Sequence, residues 1–369
     1  MRVAQVMAGA THGGAELFYE RLTVALHTAG EDVLPVIRRN PQRAALLRAA
    51  GLQPQELAFG PPYDLLTRPR LRRMLRQFAP QVVVSWMNRA TAQTPRGAWV
   101  HVGRLGGYYD LRHYRGCDHL VGNTRALVAW LIEQGWPAAR AHYLPNFVDD
   151  CGDAKPAPDL PASDGPWLLG LGRLHADKGF DTLIRALPAL RGMRLAIAGE
   201  GPERAALTAL ATSVGVASRV RFLGWRTDAA ALLRAADLFI CSSRIEPLGN
   251  MVIEAWSAGC PTVALQAAGP RELIRDGIDG IMVPPEQPDA LSAAIFALMA
   301  VPVRRASLAH AGRLRFESEF GRDRVVASWR AFLAGVAQSQ PMPDRLMPSA
   351  VTVNSRAPSD SGISPSTQP

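Results

Sequence analysis

Two carboxylates, Glu246 and Glu254, bracket a predicted helix start in the second half of the chain. Glu246 lies in a polar loop after an apolar run, and Glu254 lies within the helical pattern that follows. The amides of Gly249, Asn250 and Met251 would be unpaired at that helix N-terminus, which attracts anions such as phosphate. An ionised glutamate accepts hydrogen bonds from hydroxyls. A phosphate seat with a hydroxyl-binding group on each side indicates a sugar-nucleotide site.

The setting of this pair, strand, E-P-x-G, helix and A-G-x-P, resembles the Glu-x7-Glu signature of retaining glycosyltransferases of family 4. That family has the GT-B fold. The resemblance implies that Glu254 accepts the ribose hydroxyls of a donor and that Glu246, as a catalytic residue, holds hydroxyls of the transferred sugar. In the alternative interpretation, Glu246 is a solvated loop residue and Glu254 is a helix charge favourable to the macrodipole.

A second motif, G-L-G-R-L-H-A-D-K-G, follows a predicted strand and contains Arg173 and Lys178. Two cations at a strand end would neutralise a diphosphate and stabilise the charge that grows on it as it leaves. The motif resembles the G-R-L-x-x-x-K-G element of the same family, whose Arg and Lys hold the donor diphosphate and assist its departure. Two surface cations near a turn are the alternative.

Three further glycines, besides Gly249, are candidates for donor contacts. Gly13 and Gly14 follow the first predicted strand and open a helix, where the backbone could approach a ligand closely. Their G-G-A-E context resembles the family's donor-facing loop. It lacks the G-x-G-x-x-G fingerprint, which counts against a nicotinamide dehydrogenase. Gly199, in A-G-E-G-P-E, resembles the family's loop beside the nucleotide. Simple turns are the alternative at all three.

The segment around residues 99–110 supplies candidates for the acceptor side. Many family members place a histidine near the reaction centre after a strand of the first domain, and His101 is the catalytic candidate here. Its spacing from the following glycines is unusual, so His101 could equally lie within the strand while Arg104 reaches the ligand. Tyr108 and Tyr109 suit a polar acceptor or could simply pack. His12 is a second acceptor-side candidate.

The 369 residues are enough for about two domains. Alternating strands and helices with short links predict parallel sheets covered on both faces. We therefore expect two tandem Rossmann-like doubly wound α/β domains facing a central cleft, as in GT-B. The predicted boundaries are an N-terminal acceptor-side domain at 1–150, a linker at 151–166, a nucleotide-sugar-binding domain with terminal helices at 167–336 and a disordered tail at 337–369. The resemblance suggests that a terminal helix crosses back onto the first domain.

The composition of the chain also limits which classes of partner and cofactor we expect. The formal charge of +9 comes almost wholly from arginine, and no zinc-finger, base-stacking or groove-reading motif accompanies it, so we expect no nucleic-acid partner. The four cysteines form no C-x-x-C pair, and no D-x-D motif adjoins the predicted diphosphate site, so we expect neither a metal nor a cofactor. No signal peptide and no apolar run near the ~20 residues of a membrane span are visible, which predicts a cytoplasmic protein. An arginine-rich helix at 68–78 could contact an anionic membrane or simply be solvated.

The family resemblance implies a retaining glycosyltransferase of the hexosyltransferase type that acts from a nucleoside-diphosphate sugar onto an acceptor hydroxyl, and the cations in place of a D-x-D motif predict that it is metal-independent. Glycans built on lipid carriers, of the lipopolysaccharide type, are the expected products. A GT-B sugar-nucleotide epimerase and a non-catalytic sugar-nucleotide-binding protein remain alternatives. The sugar, the base, the acceptor, the linkage position and the oligomeric state are left open.

Overall fold

The computed structural model describes residues 1–11, 13–60, 64–160 and 165–338. His12, part of the predicted linker and residues 339–369 of the predicted tail lie outside the described residues. The chain forms two compact units, one comprising Met1–Pro145 with the segment from Val326 onward, and the other comprising Asn146–Val325.

The first unit is an α/β structure in which every strand pairing is parallel. Its described strands are β1 (Arg2–Met7), β2 (Asp32–Arg38), β3 (Gln55–Leu57), β4 (Val82–Trp86), β5 (Val100–Leu105), β6 (His119–Gly122) and β7 (Ala141–Tyr143). Its described helices are α1 (Gly14–Thr28), α2 (Pro41–Ala49), α3 (Thr67–Phe78), α4 (Met87–Gln93) and α5 (Arg125–Glu133). In the described residues these strands form a seven-stranded sheet of order β3-β2-β1-β4-β5-β6-β7.

Helix boundaries in this unit follow the expected chemistry of helix ends. The Asn40 side chain accepts a hydrogen bond from the third residue after it, and Pro41 occupies the first turn of α2. The Thr124 hydroxyl caps α5 in the same way. Gly51 and Gly135, which follow α2 and α5, have φ angles of 84° and 87° that favour glycine.

The second unit repeats this architecture with a new parallel sheet. Its described strands are β8 (Trp167–Leu171), β9 (Arg194–Ala198), β10 (Val220–Gly224), β11 (Leu238–Cys241), β12 (Thr262–Leu265) and β13 (Ile281–Val283). The described helices that follow them are α6 (Phe180–Ala186), α7 (Arg204–Ser213), α8 (Ala229–Ala235), α9 (Asn250–Ser257), α10 (Ala268–Leu273), α11 (Pro288–Met299), α12 (Pro302–Arg315) and α13 (Arg322–Val336). In the described residues the sheet order is β10-β9-β8-β11-β12-β13.

The second sheet is covered by apolar side chains on both faces. Leu168 and Leu169 are neighbours on β8, yet they belong to different clusters because successive strand residues point to opposite faces. Leu168 packs with residues of α6, α7 and α11, whereas Leu169 packs with Trp256 and other residues of α8 and α9. Because both faces of the sheet are buried, its strands are nearly continuous apolar runs. The prediction of two parallel-sheet α/β domains is confirmed.

The last helix, α13, contributes its later residues to the first unit. Arg330 forms a 2.7 Å ion pair with Glu31, and the Phe332 ring packs against the rings of His119 and His142. These contacts agree with the terminal-helix role that the family resemblance implies. Within the described residues, no single helix has both the length and the apolar character to cross a membrane; α11 taken with Pro302–Phe320 reaches both only as a pair bent by 99°.

Candidate active site

The second sheet has a topological switch point between β8 and β11. From β8 the strand order runs one way through β9 and β10, and from β11 it runs the other way. The loops that leave neighbouring strands at such a point diverge and open a crevice at the carboxyl edge of the sheet. Here these loops are residues 172–179 after β8 and residues 242–249 after β11, which contain the predicted cations and Glu246.

Hydrogen bonds hold the two loops together. The carbonyl oxygen of Asp177 accepts hydrogen bonds from the amides of Arg244 at 2.8 Å and Ile245 at 3.2 Å. The Ser242 hydroxyl donates to the carbonyl oxygen of Lys178 at 2.8 Å. Because these hydrogen bonds fix the main chains of the two loops against each other, the side chains that the loops carry are held close together.

The loop contact also requires glycine at position 179. Gly179 has φ +60°, and a Cβ there would lie 2.1 Å from the carbonyl oxygen of Ser242. Any other residue would have to push the β11 loop away, in a backbone conformation that L side chains rarely adopt.

Within this junction, Lys178 and Glu246 form a direct ion pair with 2.6 Å between Nζ and Oε2. Their side chains are 24% and 12% exposed, so the pair is only partly screened by solvent. The same carboxylate accepts from the Ser243 hydroxyl at 3.3 Å and from the Gly249 amide at 3.4 Å. Two predicted site residues that lie far apart in sequence therefore meet, and they place an ammonium and a hydroxyl-accepting carboxylate side by side.

Arg173 lies on the same β8 loop with an exposed side chain. Gly199, at the end of β9, packs against this loop: a Cβ on Gly199 would lie 1.9 Å from the carbonyl oxygen of Gly172. This close backbone packing is enough to explain a glycine at position 199, as in the alternative in which Gly199 is part of a simple βα turn. Its predicted contact with the donor stays a prediction.

Helix α9 begins at the end of the loop after β11, and within the described residues no side chain caps its first turn. Gly249 is left-handed at φ 71°, and the first-turn amides of Asn250 and Met251 have no intrahelical acceptor. The Asn250 side chain faces Asn146 across 3.5 Å, and the Met251 side chain packs against the core. Glu254 is partly buried one turn further along α9.

Arg244 is a site residue that the sequence analysis missed. Its guanidinium makes two 2.8 Å hydrogen bonds to the Asp181 carboxylate, one of 2.9 Å to the Ala176 carbonyl and one of 2.9 Å to Glu286. The hydrogen bonds from Arg244 lower the pKa of Asp181. Arg244 thus ties together the loops after β8, β11 and β13. The available signal in the sequence was an arginine three residues after strand β11 together with an acid in the first turn of α6.

The first sheet has its own switch point, between β1 and β4. A cavity of about 320 Å³ opens there, and the described residues around it are 8–10 after β1, Arg38 at the end of β2, 87–89 after β4, and Tyr109 after β5. Only Tyr109 among these was a predicted site residue. Arg38, Asn88 and Arg89 were missed because no recognisable motif surrounds them.

The predicted catalytic contact of His101 does not fit its position. His101 is 1% exposed and is the second residue of β5, with Nε2 2.8 Å from the Ser85 hydroxyl and Nδ1 3.2 Å from the carbonyl oxygen of Gly116. Burial lowers its pKa from 6.5 to about 4, so the ring is neutral at pH 7. The structure corresponds to the alternative in which His101 is a strand residue.

Arg104 and Tyr108 are also placed differently from the acceptor-binding prediction. Arg104 is 2% exposed and lies over the Trp86 and Phe18 rings at 4.8 and 5.3 Å, and its burial lowers the pKa to about 10. Tyr108 packs edge-to-face on Trp130 with 5.2 Å between ring centroids. Both positions argue against direct acceptor contacts, and for Tyr108 the packing alternative describes the observed contact.

Gly13 and Gly14 lie at the start of α1. The buried Glu16 carboxylate accepts a hydrogen bond from the Ala10 amide at 2.7 Å, and a Cβ on Gly13 would lie 2.3 Å from that carboxylate. No described atom lies within 4 Å of a Cβ built on Gly14. Gly13 therefore makes room for a loop-stabilising acid, and the predicted donor contact of both glycines stays a prediction.

Comparisons with known proteins agree with this architecture. The model of the family "Glycosyltransferase Family 4" matches residues 12–150, and that of "Glycosyl transferases group 1" matches residues 165–300. The lipopolysaccharide core biosynthesis glycosyltransferases LpsE and LpsD of Rhizobium meliloti (strain 1021) are each 33% identical to the chain. The LpsE match covers 87% of this chain and 96% of LpsE, and the LpsD match covers 92% and 100%. The Anabaena protein HepE, solved in complex with UDP, superposes with a TM-score of 0.78 at 20% identity, covering 91% of this chain and 100% of HepE.

The two family matches cover strands β2 to β7 of the first sheet and all described strands of the second sheet, and two relatives are similar over nearly their full lengths. The fold, the switch-point loops and these similarities lead to one conclusion. The chain belongs to glycosyltransferase family 4, the group 1 glycosyl transferases, and is a glycosyltransferase with the GT-B fold.

Proposed function

We propose that this glycosyltransferase moves a hexose from a nucleoside-diphosphate sugar to an acceptor hydroxyl with retention of anomeric configuration. The observation that carries the proposal is the Lys178–Glu246 pair at the switch point of the second sheet. A cation that can hold a diphosphate and a carboxylate that can hold sugar hydroxyls are in contact there. A nucleotide sugar presents those two chemistries next to each other.

In this proposal the donor diphosphate binds to Arg173, Lys178 and the first-turn amides of α9. HepE, which shares the fold, was solved with UDP, and this supports nucleotide binding by this chain. Glu254 accepts the ribose hydroxyls and Glu246 accepts hydroxyls of the transferred sugar. On donor binding, Lys178 is shared between Glu246 and the diphosphate.

The proposed reaction is a front-face displacement. The acceptor oxygen attacks the anomeric carbon on the face from which the diphosphate leaves, and the bond between that carbon and the leaving oxygen breaks. The departing phosphate keeps the electron pair and takes the acceptor's proton. Arg173 and Lys178 stabilise the developing negative charge, so the proposal requires no metal ion.

The names of the relatives support a place in cell-envelope glycan synthesis. LpsE and LpsD are lipopolysaccharide core glycosyltransferases, and we propose an acceptor of that type for this chain. Such a role places the enzyme in the cytoplasm, at the inner face of the membrane that carries the growing glycan.

Helix α3 supports a peripheral contact with that membrane. Leu71 and Leu75 are buried, Leu65 and Leu66 ahead of the helix are 82% and 59% exposed, and five arginines are exposed on α3. These arginines are Arg68, Arg70, Arg72, Arg73 and Arg76. Exposed arginines are attracted to anionic lipid by about 1 kcal/mol each. Flotation with vesicles containing phosphatidylglycerol should exceed flotation with phosphatidylcholine alone, and changing three of the arginines to Gln should abolish the difference.

The function is tested by the products formed from nucleotide sugars. UDP-, GDP- and ADP-sugars would be incubated with and without a truncated lipopolysaccharide core, and the product linkage read by NMR. A new glycoside with the anomeric configuration of the donor supports the proposal. An epimerised nucleotide sugar formed without acceptor would support the epimerase alternative. Binding without turnover, together with unaltered biological activity of Glu246→Ala, would indicate a non-catalytic binding protein.

A further inference from the structure

We propose that the cavity at the switch point of the first sheet binds an anionic group, a phosphate or a carboxylate, on the acceptor sugar. The inference rests on the proposed function, because it names the chemical class of the acceptor. Its argument comes from the charges and polar atoms around the cavity.

The position of the cavity favours ligand binding. Loops from β1, β2, β4 and β5 meet at the carboxyl edge of the sheet, where parallel α/β sheets bind ligands. Its volume of about 320 Å³ is at the lower end of the range for small-molecule sites, enough for a monosaccharide with one substituent. Met87, on its rim, has φ +65°. A non-glycine residue in this region is strained, and such residues concentrate at functional sites.

The charge around the cavity is positive. Arg38 is half-buried and Arg89 is exposed, and both border the cavity. One Arg89 nitrogen donates to the Phe59 carbonyl oxygen at 3.4 Å, and among the described residues this is the one acceptor of its guanidinium, whose other N–H groups can bind a ligand. The buried Arg104 raises the positive charge near Tyr109, while Glu16, the nearby acid, is held by the Ala10 amide. Two guanidinium groups match the geometry of a phosphate or carboxylate.

The uncharged groups suit the sugar part of the same ligand. Oδ1 of Asn88 is buried, and among the described residues no group donates a hydrogen bond to it. A sugar hydroxyl can supply that donor, which would relieve the cost of a buried, unsatisfied oxygen. The Tyr109 hydroxyl is a second polar group at the rim, and its burial raises the pKa, so it stays protonated at neutral pH. Anion-binding arginines and hydroxyl-binding atoms thus border one cavity.

The test measures binding of small probes to the full-length protein by NMR titration. Glucose 6-phosphate, glucuronate and methyl glucoside are compared, with the nucleoside diphosphate that stabilises the protein most present at saturation to occupy the donor site. We expect the two anions to bind and the neutral glucoside to bind at least tenfold more weakly. Stronger binding of glucose 6-phosphate than of glucuronate would identify the acceptor anion as phosphate, and the reverse as carboxylate.

Variants assign the probe to the cavity. Arg38→Gln and Arg89→Gln should each weaken the preferred anion by about ten- to hundredfold, since each removes a charge-assisted contact. Arg39→Gln, which removes the neighbouring exposed charge, should change it less than twofold. Equal affinities in all three variants, or equal binding of the glucoside and the anions, would overturn the inference.

The test of the cavity can fail or succeed independently of the test of the proposed function. Nucleotide affinity should be unchanged in the Arg38 and Arg89 variants, because both residues belong to the first unit. If no nucleotide binds but the anion still depends on Arg38 and Arg89, the donor proposal fails while the cavity assignment stands. If nucleotide binding and transfer are normal and the anion binds independently of these arginines, only the further inference fails.

Discussion

Replacing Lys178 with Met keeps the apolar stem and removes the ammonium that contacts Glu246. Exposed ion pairs contribute about 0–1 kcal/mol, and breaking a buried pair costs about 3–5 kcal/mol. Because the two side chains are 24% and 12% exposed, we expect an intermediate loss of about 1–2 kcal/mol in the free energy of unfolding. Ser243 and Gly249 continue to donate to the carboxylate, which limits the loss.

The same substitution should weaken nucleoside-diphosphate binding much more than it weakens the fold. A hydrogen bond to a charged group is worth about 1.5–3 kcal/mol, so the affinity should fall by about ten- to hundredfold. The assay is thermal unfolding with increasing UDP, GDP and ADP, in which a ligand of the native state raises the midpoint according to its affinity. The unliganded midpoint and the ligand-induced shift report the two effects separately.

Lys155→Met is the matched control, since Lys155 is exposed and is the other of the chain's two lysines. It should leave both quantities unchanged. A double-mutant cycle with Glu246→Gln measures the coupling within the pair. A Lys178→Met protein with a lowered unliganded midpoint but a wild-type shift for every diphosphate would show that the pair is purely structural, and the reasoning about the donor site would be refuted.

Three further predictions follow from the packing. Because burial holds the pKa of His101 at about 4 against 6.5 in the unfolded chain, its neutral ring stabilises the fold fully above pH 6.5. That stability is lost as the pH falls, and urea unfolding should show a loss of about 2 kcal/mol at pH 5. The His101→Leu variant should lose less stability at low pH and should keep its turnover. A His101→Leu protein that is folded but inactive would show that His101 is catalytic after all. Arg244→Lys should lower diphosphate affinity with little change in secondary structure, and combining it with Asp181→Asn should add little; full additivity would contradict the positioning role. In thermal unfolding, Gly179→Ala should lower the free energy of unfolding by more than about 2 kcal/mol. Gly192→Ala is the control, since Gly192 has φ +78° and open space around it, and it should lower the free energy of unfolding by about half as much.

The second half of the molecule was largely predictable because its signals are local. Strands β8 and β11 are apolar runs, and the loops after them carry charged residues in recognisable order. A parallel sheet then brings the two loops together whatever the sequence between them, so Lys178 and Glu246 could be assigned to one site. The Arg244 contacts were not predictable in the same way, because they depend on side-chain directions across three loops.

The first half shows why polar residues in strands mislead. When both faces of a parallel sheet are covered, each position of a central strand is buried, including its polar ones. His101 and Arg104 lie on such a strand, β5, whose burial is complete along its length. Their polarity suggested a ligand, but His101 Nε2 lies 2.8 Å from the Ser85 hydroxyl and the Arg104 guanidinium lies over the Trp86 ring, so both side chains are packed inside the protein. Arg38 and Arg89 border one cavity because the sheet topology brings the ends of β2 and β4 together, which no local motif indicates.

The close glycine contacts around the loops after β8 and β11 have a consequence for mutational scanning. Gly179, Gly199 and Gly269 each bring one main chain against another, and a Cβ on Gly269 would lie 2.6 Å from the carbonyl oxygen of Glu246. A library selected only for soluble expression should already be depleted of substitutions at these three positions. Substitutions at these positions are not tolerated because they prevent the loops from packing together. Residues that contact the donor should therefore be sought at positions where substitutions are lost only when the library is selected for turnover.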